Sequence, residues 1–176
     1  MPGFRIDYDF NGLRHITIGE IRFAMYATFL QIHNWLRWFT LLMCIGAIVY
    51  ATRKPAAGST ELPGKTWDTY LMLAVDLQML TGLVLYFGLS PFTMAAMNNP
   101  SQAWQIPPVR FWAIIHAGAM FATLLSVRVG RVLAINAPNL EAAQRRRLVW
   151  FVITTLVLLS AIPWPGLANG RPLFRW

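Results

Sequence analysis

The stretch Gln31-Ile32-His33-Asn34-Trp35-Leu36-Arg37-Trp38-Phe39 opens a long apolar run and puts a histidine and an arginine inside it. On a helix these two side chains would share one face, one turn apart. Ionisable side chains are costly in a bilayer and usually face the interior of a helix bundle or a cavity. We therefore expect this stretch to open a membrane span, with His33 and Arg37 as site residues and further spans arranged around them.

The composition of the 176-residue chain is that of a membrane protein. Hydrophobic residues make up 56% of it and charged residues 12%, which is about half the charged share of an average soluble domain. The net charge of +8 falls between the apolar runs, so it indicates membrane topology and no nucleic-acid partner. The single cysteine, Cys44, excludes an internal disulfide and a C-x-x-C-H haem attachment.

Four apolar segments are long enough to cross about 30 Å of hydrocarbon as helices. They run approximately over residues 29–51, 67–89, 111–135 and 148–168. The sequence thus predicts an all-α fold, an integral membrane four-helix up-down bundle within residues 25–176 that contacts the lipid bilayer. Residues 1–24 form a mixed polar tail, and Met25 is an alternative start of the natural chain.

The segments that connect the spans carry expectations of their own. The longest loop, residues 91–108, is expected to lie on the membrane surface or to fold over the mouth of the bundle. Asn139 is a good N-cap for a helix that starts in water and carries the arginines 145–147 to the membrane boundary as a cytoplasmic anchor. Pro163 is expected to kink or end the fourth span and to free backbone carbonyls there.

Lysine and arginine are unevenly divided between the two sides of this predicted bundle. The loops after the first and third spans carry most of them, including Arg53, Lys54 and the triplet 145–147. Cytoplasmic loops are enriched in these residues. The sequence therefore predicts that both termini lie outside and that the two basic loops lie in the cytoplasm.

With this topology, His33 and His116 come to nearly the same depth, roughly 6–8 Å below the outer end of their spans at 1.5 Å per residue. Helices of a bundle pack about 8–10 Å apart, so two facing imidazoles can hold one metal centre between them. A haem in a helix bundle is held by side chains on facing helices. Arg37, one turn deeper, and Arg110, at the outer rim, are then expected partners for a haem propionate.

Other interpretations of the histidines stay open. Structural histidines would form hydrogen bonds across helices to Gln31, to Gln78 or to carbonyls freed near Pro163; contact with copper or with a quinone is a further alternative. The same rise per residue places Asp76 near mid-membrane, close enough in depth to pair with Arg37. We interpret such a pair as a structural ion pair in preference to a proton path. No nucleophile with an adjacent base is visible, so the sequence indicates no catalytic site.

Several motifs together are similar to those of a known family. They are His33 with Trp35-Leu36-Arg37-Trp38, the run Leu77-Gln78-Met79-Leu80-Thr81-Gly82-Leu83-Val84-Leu85-Tyr86-Phe87, Arg110-Phe111-Trp112 with His116, Ile162-Pro163-Trp164-Pro165, and Arg171-Pro172-Leu173-Phe174. Over roughly residues 25–176 the chain resembles a family of short bacterial four-helix integral membrane proteins that are commonly labelled "cytochrome B".

The resemblance implies a b-type haem in the bacterial inner membrane, with His33 and His116 as its ligands. It implies electron transfer near the outer face, with a quinol or quinone or a redox partner subunit. Two positions depart from the family pattern: Asp76 stands where relatives often have histidine, and Ile115 where they have an acidic residue. If a family ligand comes from the second span, this chain has lost it.

Two rival functions remain at this stage. One is a non-catalytic accessory or scaffold subunit of a larger membrane complex, in which the histidines are structural. The other is a small transporter or copper-handling protein that uses Arg37 and Asp76. A measurement of haem content distinguishes the scaffold subunit from a cytochrome-like protein, because a scaffold would be colourless.

Overall fold

The structure, a computed structural model, describes residues 17–174, which form helices joined by turns. In chain order the helices are α1 (Ile18–Ala51), α2 (Lys65–Leu89), α3 (Pro91–Asn98), α4 (Pro100–Ala103), α5 (Pro107–Ile135) and α6 (Leu140–Ala161). The predicted all-α fold is confirmed for these residues. Residues 1–16, which make up most of the predicted polar tail, lie outside the described part of the chain, as do residues 175–176.

Three of the helices in residues 17–174, namely α1, α2 and α5, are long and apolar enough to cross a membrane. The chain is therefore consistent with a multi-pass membrane protein. The predicted fourth span, residues 148–168, is not among the three. Helix α6 carries Glu141 and the arginine triplet in its first half and ends at Ala161. Its apolar part, from residue 148 onward, covers only about 21 Å at 1.5 Å per residue.

Local capping sets where two of the long helices begin. Thr17 and Glu20 form a capping box at the start of α1: the Thr17 hydroxyl accepts from the Glu20 N–H at 3.2 Å, and the Glu20 carboxylate accepts from the Thr17 N–H at 2.8 Å. Residues 18–24, assigned from the sequence to the polar tail, therefore form the first turns of α1. Asn139 caps α6, as predicted, by accepting from the Ala142 N–H at 2.8 Å.

Small residues allow the long helices to pack closely. Helix α1 packs mainly against α2, and α6 packs against α5 and α1. A Cβ on Gly46 would collide with the Trp67 ring, and one on Gly130 would collide with Trp150. Such contacts are typical of helix pairs in membranes. The buried core between the helices consists of Met43, Cys44, Ala47, Ala51, Leu71, Ala74, Val75, Val127, Phe151 and Leu158.

Two π-helical turns lie close together at one end of the bundle. One of them, Leu85–Leu89, ends α2, and the other, Phe111–His116, lies within α5. The Tyr86 hydroxyl links them by donating to the Ala113 carbonyl at 3.0 Å. Helix α3 packs against both turns, so the long loop takes the second of its two expected positions, over the mouth of the bundle. π-Helical turns often accompany functional sites.

The opposite end of the bundle contains a buried ion pair. Arg147 donates to the Asp68 carboxylate at 2.5 Å and to the Pro63 carbonyl at 3.1 Å. The Arg147 side chain is only 1% exposed, because α6 carries it inward against the start of α2. One arginine of the triplet predicted to be a cytoplasmic anchor is thus part of the protein interior.

Candidate functional site

A cavity of about 300 Å³ lies between α1, α2, α3 and α5, at the end of the bundle that holds the π-helical turns. The segment after α6 contributes Ile162, Pro163 and Arg171 to its wall. Most of the other lining side chains are apolar, and the cavity is open over part of its boundary. Its volume is at the lower end of the range for small-molecule sites, about 300–1,000 Å³.

The structure brings His33 and His116 together in this cavity. Their ring centroids are 6.3 Å apart and the ring planes are inclined by 70°. Both side chains line the cavity, one from α1 and the other from the π-helical turn of α5. The sequence predicted that the two histidines lie at nearly the same depth. In the structure their rings are neighbours in one cavity.

The carbonyl of Ala161 fixes the ring of His116. His116 Nδ1 lies 2.9 Å from this oxygen, and a carbonyl only accepts, so Nδ1 carries the proton and donates. Helix α6 ends at Ala161 and Ile162 is extended, so no following N–H completes a helical hydrogen bond to the Ala161 carbonyl. The acceptor is therefore a helix-end carbonyl near Pro163, the region where the sequence predicted freed carbonyls. In the neutral ring, Nε2 is left with its lone pair.

His33 is fixed by two side chains of α2. Its Nδ1 lies 3.0 Å from the Thr81 hydroxyl, whose own proton goes to the carbonyls of Leu77 or Gln78. The hydroxyl therefore accepts from His33 Nδ1–H, which assigns the tautomer from the hydrogen-bond network. His33 Nε2 then accepts from the Gln78 amide at 3.1 Å. Both histidines thus have a protonated Nδ1 and a lone pair on Nε2.

Gln78 and Gly82 complete the contact between α1 and α2 at this point. Gln78 is only 5% exposed, and its Oε1 has no hydrogen-bond partner within residues 17–174. Gln78 lines the cavity, so a ligand with a hydrogen-bond donor has a buried acceptor available. A Cβ on Gly82 would lie 3.3 Å from His33 Cε1, so the glycine leaves room for the imidazole.

Arg37 anchors the segment that follows α6. Its guanidinium donates to the Leu173 carbonyl at 2.7 Å, and Trp38 Nε1 donates to the same oxygen at 3.0 Å. The Phe174 ring stacks on Trp38 with centroids 5.3 Å apart. The sequence assigned Arg37 to a haem propionate; the structure gives its guanidinium a backbone partner beside the cavity.

Arg37→Met is expected to loosen this segment. The substitution removes the one charged donor to the Leu173 carbonyl. The segment should lose about 1.5–3 kcal/mol of local stability, which raises the equilibrium constant for its local opening by at least about tenfold. Chymotrypsin cleavage after Phe174 should accelerate accordingly. Arg53→Met, an exposed arginine just after α1, is the matched control and should leave the cleavage rate unchanged. Equal rates in both variants and the wild type would contradict an anchoring role.

Two other predicted residues lie away from this cavity. Arg110 is not among its lining side chains, because its guanidinium turns back to the Trp104 carbonyl at 3.1 Å. Asp76 pairs with Arg128 at 2.5 Å, not with Arg37. The depth argument had paired Asp76 with Arg37. In the structure Asp76 lies on the side of α2 that faces α5, and its carboxylate is 41% exposed.

The two histidines could supply two nitrogen ligands to a metal or to a metal-containing cofactor. No group of three or more metal-ligating side chains occurs in the described range, residues 17–174. A haem brings its own equatorial nitrogens and needs only axial ligands from the protein. At a centroid distance of 6.3 Å, the two imidazoles are close enough that they could hold one metal between them. A metal held by His33 Nε2 would take the place of the Gln78 amide, which lies 3.1 Å from that nitrogen.

Sequence reasoning did not assign Arg171 to the site. Its side chain lines the cavity, where it lies over the rings of Trp112 and Phe92, 5.3 and 5.8 Å from their centroids. The only signal was its place in the motif Arg171-Pro172-Leu173-Phe174, since a terminal segment has no helical periodicity that could predict a face.

No protein family, no curated protein and no solved structure matches this chain.

Proposed function

We propose that the chain is a membrane protein that binds haem b between His33 and His116 and takes part in electron transfer near the outer face of the membrane. The observation that supports this most is the pair of imidazoles, 6.3 Å apart in one largely apolar cavity. Each ring has its Nδ1 proton engaged by the protein and a lone pair on Nε2. An anchored Nδ1–H with an unprotonated Nε2 is the usual state of a histidine that binds a metal. His33 Nε2 would have to release the Gln78 amide before it could do so.

The residues around the pair have roles that follow from their contacts. The Ala161 carbonyl and the Thr81 hydroxyl orient the two rings and hold their protons on Nδ1. Such partners raise the basicity of the ligating nitrogen. Most of the cavity wall around the two rings is apolar. Haem, when bound, supplies one-electron redox chemistry, which the axial ligands and burial tune.

The proposed setting is the bacterial inner membrane, with α6 as the fourth helix of the bundle, both termini outside and the basic loops in the cytoplasm. The distribution of lysine and arginine supports this orientation. One haem at a single depth cannot carry electrons across the bilayer alone. A quinol or quinone, or a redox partner subunit, is therefore the proposed partner.

The reduced-minus-oxidised visible spectrum of the purified protein tests the proposal. The wild type, produced with adequate haem supply, is expected to show a b-type α-band. His33→Ala and His116→Ala should each lose it, because each removes one of the two imidazoles that would hold the haem iron. His15→Ala changes the third histidine, for which no role is proposed, and should keep the wild-type spectrum.

A colourless wild type would sink the haem proposal. A band that survives either of the two alanine substitutions would mean that the iron takes a ligand outside this pair. Circular dichroism of every variant separates loss of haem from loss of fold, because an intact helical spectrum without the band locates the defect at the ligand.

A second function, an accessory or scaffold subunit of a larger membrane complex, is favoured by the hydrogen bonds of His33. Both of its ring nitrogens have protein partners on α2, as structural histidines between helices do. If the protein is a scaffold, neither the wild type nor any variant should carry haem. His33→Ala should instead lower the stability of the α1–α2 contact. The spectrum and a thermal unfolding curve of the same samples therefore distinguish the two functions.

A further inference from the structure

The cavity has an excess of positive charge. Among its lining side chains within residues 17–174, the charged ones are Arg37 and Arg171, and no aspartate or glutamate is present. Two aspartates of α2, Asp76 and Asp68, are engaged by other arginines, Arg128 and Arg147. A cavity that holds cations without anions favours a ligand that carries negative charge.

Arg171 is the cation whose donors are available. Its guanidinium contacts the faces of Trp112 and Phe92, and no side chain or carbonyl among residues 17–174 accepts a hydrogen bond from it. Aromatic faces hold a guanidinium by its plane and leave its N–H edge exposed. That edge matches a carboxylate, which can accept two parallel hydrogen bonds from it.

The backbone around Arg171 is held in place. Its N–H donates to the Pro163 carbonyl at 3.0 Å, which ties the segment to the end of α6. Two residues further on, Arg37 holds the Leu173 carbonyl. These contacts fix the guanidinium between α3 and α5 without using its side-chain donors, so the residue is organised to bind something in the cavity.

We infer that the cavity binds an apolar molecule that bears a carboxylate, with the carboxylate on Arg171 and the apolar body along Leu30, Leu83, Met120 and Leu158. The inference rests on the same cavity as the proposed haem site and deepens it, because it assigns the anionic group of the ligand to Arg171 in place of Arg110. Two ligands have this chemistry: the propionates of a haem, and the carboxylate of a free long-chain fatty acid.

The test compares each acid with its ester, using the full chain in nanodiscs of zwitterionic lipid. Haemin and haemin dimethyl ester are titrated into the wild type, Arg171→Gln and Arg110→Gln. Arg171→Gln should weaken haemin by about tenfold or more, the usual effect of losing a charge-assisted contact. The dimethyl ester should bind the wild type and Arg171→Gln alike, which also shows that the variant is folded. Arg110→Gln should behave as the wild type with both ligands.

A second arm uses 9,10-dibromostearate and its methyl ester, with quenching of tryptophan fluorescence as the readout, because Trp112 lies beside Arg171. If the wild type binds no haemin but binds the acid better than the ester, and Arg171→Gln abolishes that difference, the haem proposal fails and the carboxylate site stands. If Arg171→Gln changes acid and ester equally, or if neither acid is preferred to its ester in the wild type, the inference is overturned.

Discussion

Arg147→Met is expected to lower the free energy of unfolding by about 3–5 kcal/mol, the usual loss when one partner of a buried ion pair is removed. The Arg147 side chain is 1% exposed and donates to both the Asp68 carboxylate and the Pro63 carbonyl. Methionine fills much of the volume but provides neither donor. It therefore leaves a carboxylate, itself only 12% exposed, without its counter-charge at the start of α2.

Unfolding in mixed micelles with increasing dodecyl sulfate, followed by circular dichroism, measures this loss. The matched control is Arg145→Met, because Arg145 belongs to the same triplet but is exposed. It should change the free energy by no more than about 0.5 kcal/mol. Equal effects of the two substitutions would mean that the triplet acts only at the surface.

A double variant separates the charge from the packing. Arg147→Met combined with Asp68→Asn removes both charges, so it should recover part of the stability lost in Arg147→Met alone. If nothing is recovered, the loss comes from the packing of Arg147 over the Phe151 ring, whose centroid is 5.9 Å from the guanidinium carbon. The wild type, Arg147→Met and the double variant together therefore distinguish the effect of the charge from the effect of the packing.

The long helices and the meeting of the two histidines were predictable from the sequence, because apolar length and a fixed rise per residue determine both. The cap at Asn139 was also predictable, since it depends on local chemistry alone. The partner of Asp76 could not be predicted. The sequence placed Arg37 near the depth of Asp76, but the rotation of α2 about its axis decides that Asp76 meets Arg128.

The fate of the arginine triplet shows a second limit of sequence reasoning. Three consecutive arginines look alike, but consecutive helical positions are about 100° apart around the axis. The three arginines are therefore spread over about 200° of the helix surface and cannot all lie on one narrow face. The contact between α6 and α2 selects Arg147 for the interior, and that contact is a property of the packed bundle. The same holds for Arg171, whose segment has no periodicity of its own.

The second large effect is expected from the close approach of α5 and α6. A Cβ on Gly130 would overlap the Cβ of Trp150, which belongs to the main-chain end of that side chain and cannot rotate away. Gly130→Ala must therefore push the two helices apart, at a cost of about 1–3 kcal/mol for overpacking. The same micelle unfolding experiment measures it.

Gly118→Ala supplies the control within the same helix, because nothing lies within 4 Å of a Cβ at that position. Alanine is the better helix former, so this variant should be neutral or up to about 1 kcal/mol more stable. The same substitution, glycine to alanine, should thus lower the free energy of unfolding at Gly130 and leave it unchanged or raise it at Gly118. If both variants were stabilised, the α5–α6 interface would have to be looser than Gly130 and Trp150 indicate. The bond from His116 to Ala161, which joins the same two helices, would then also be less constrained.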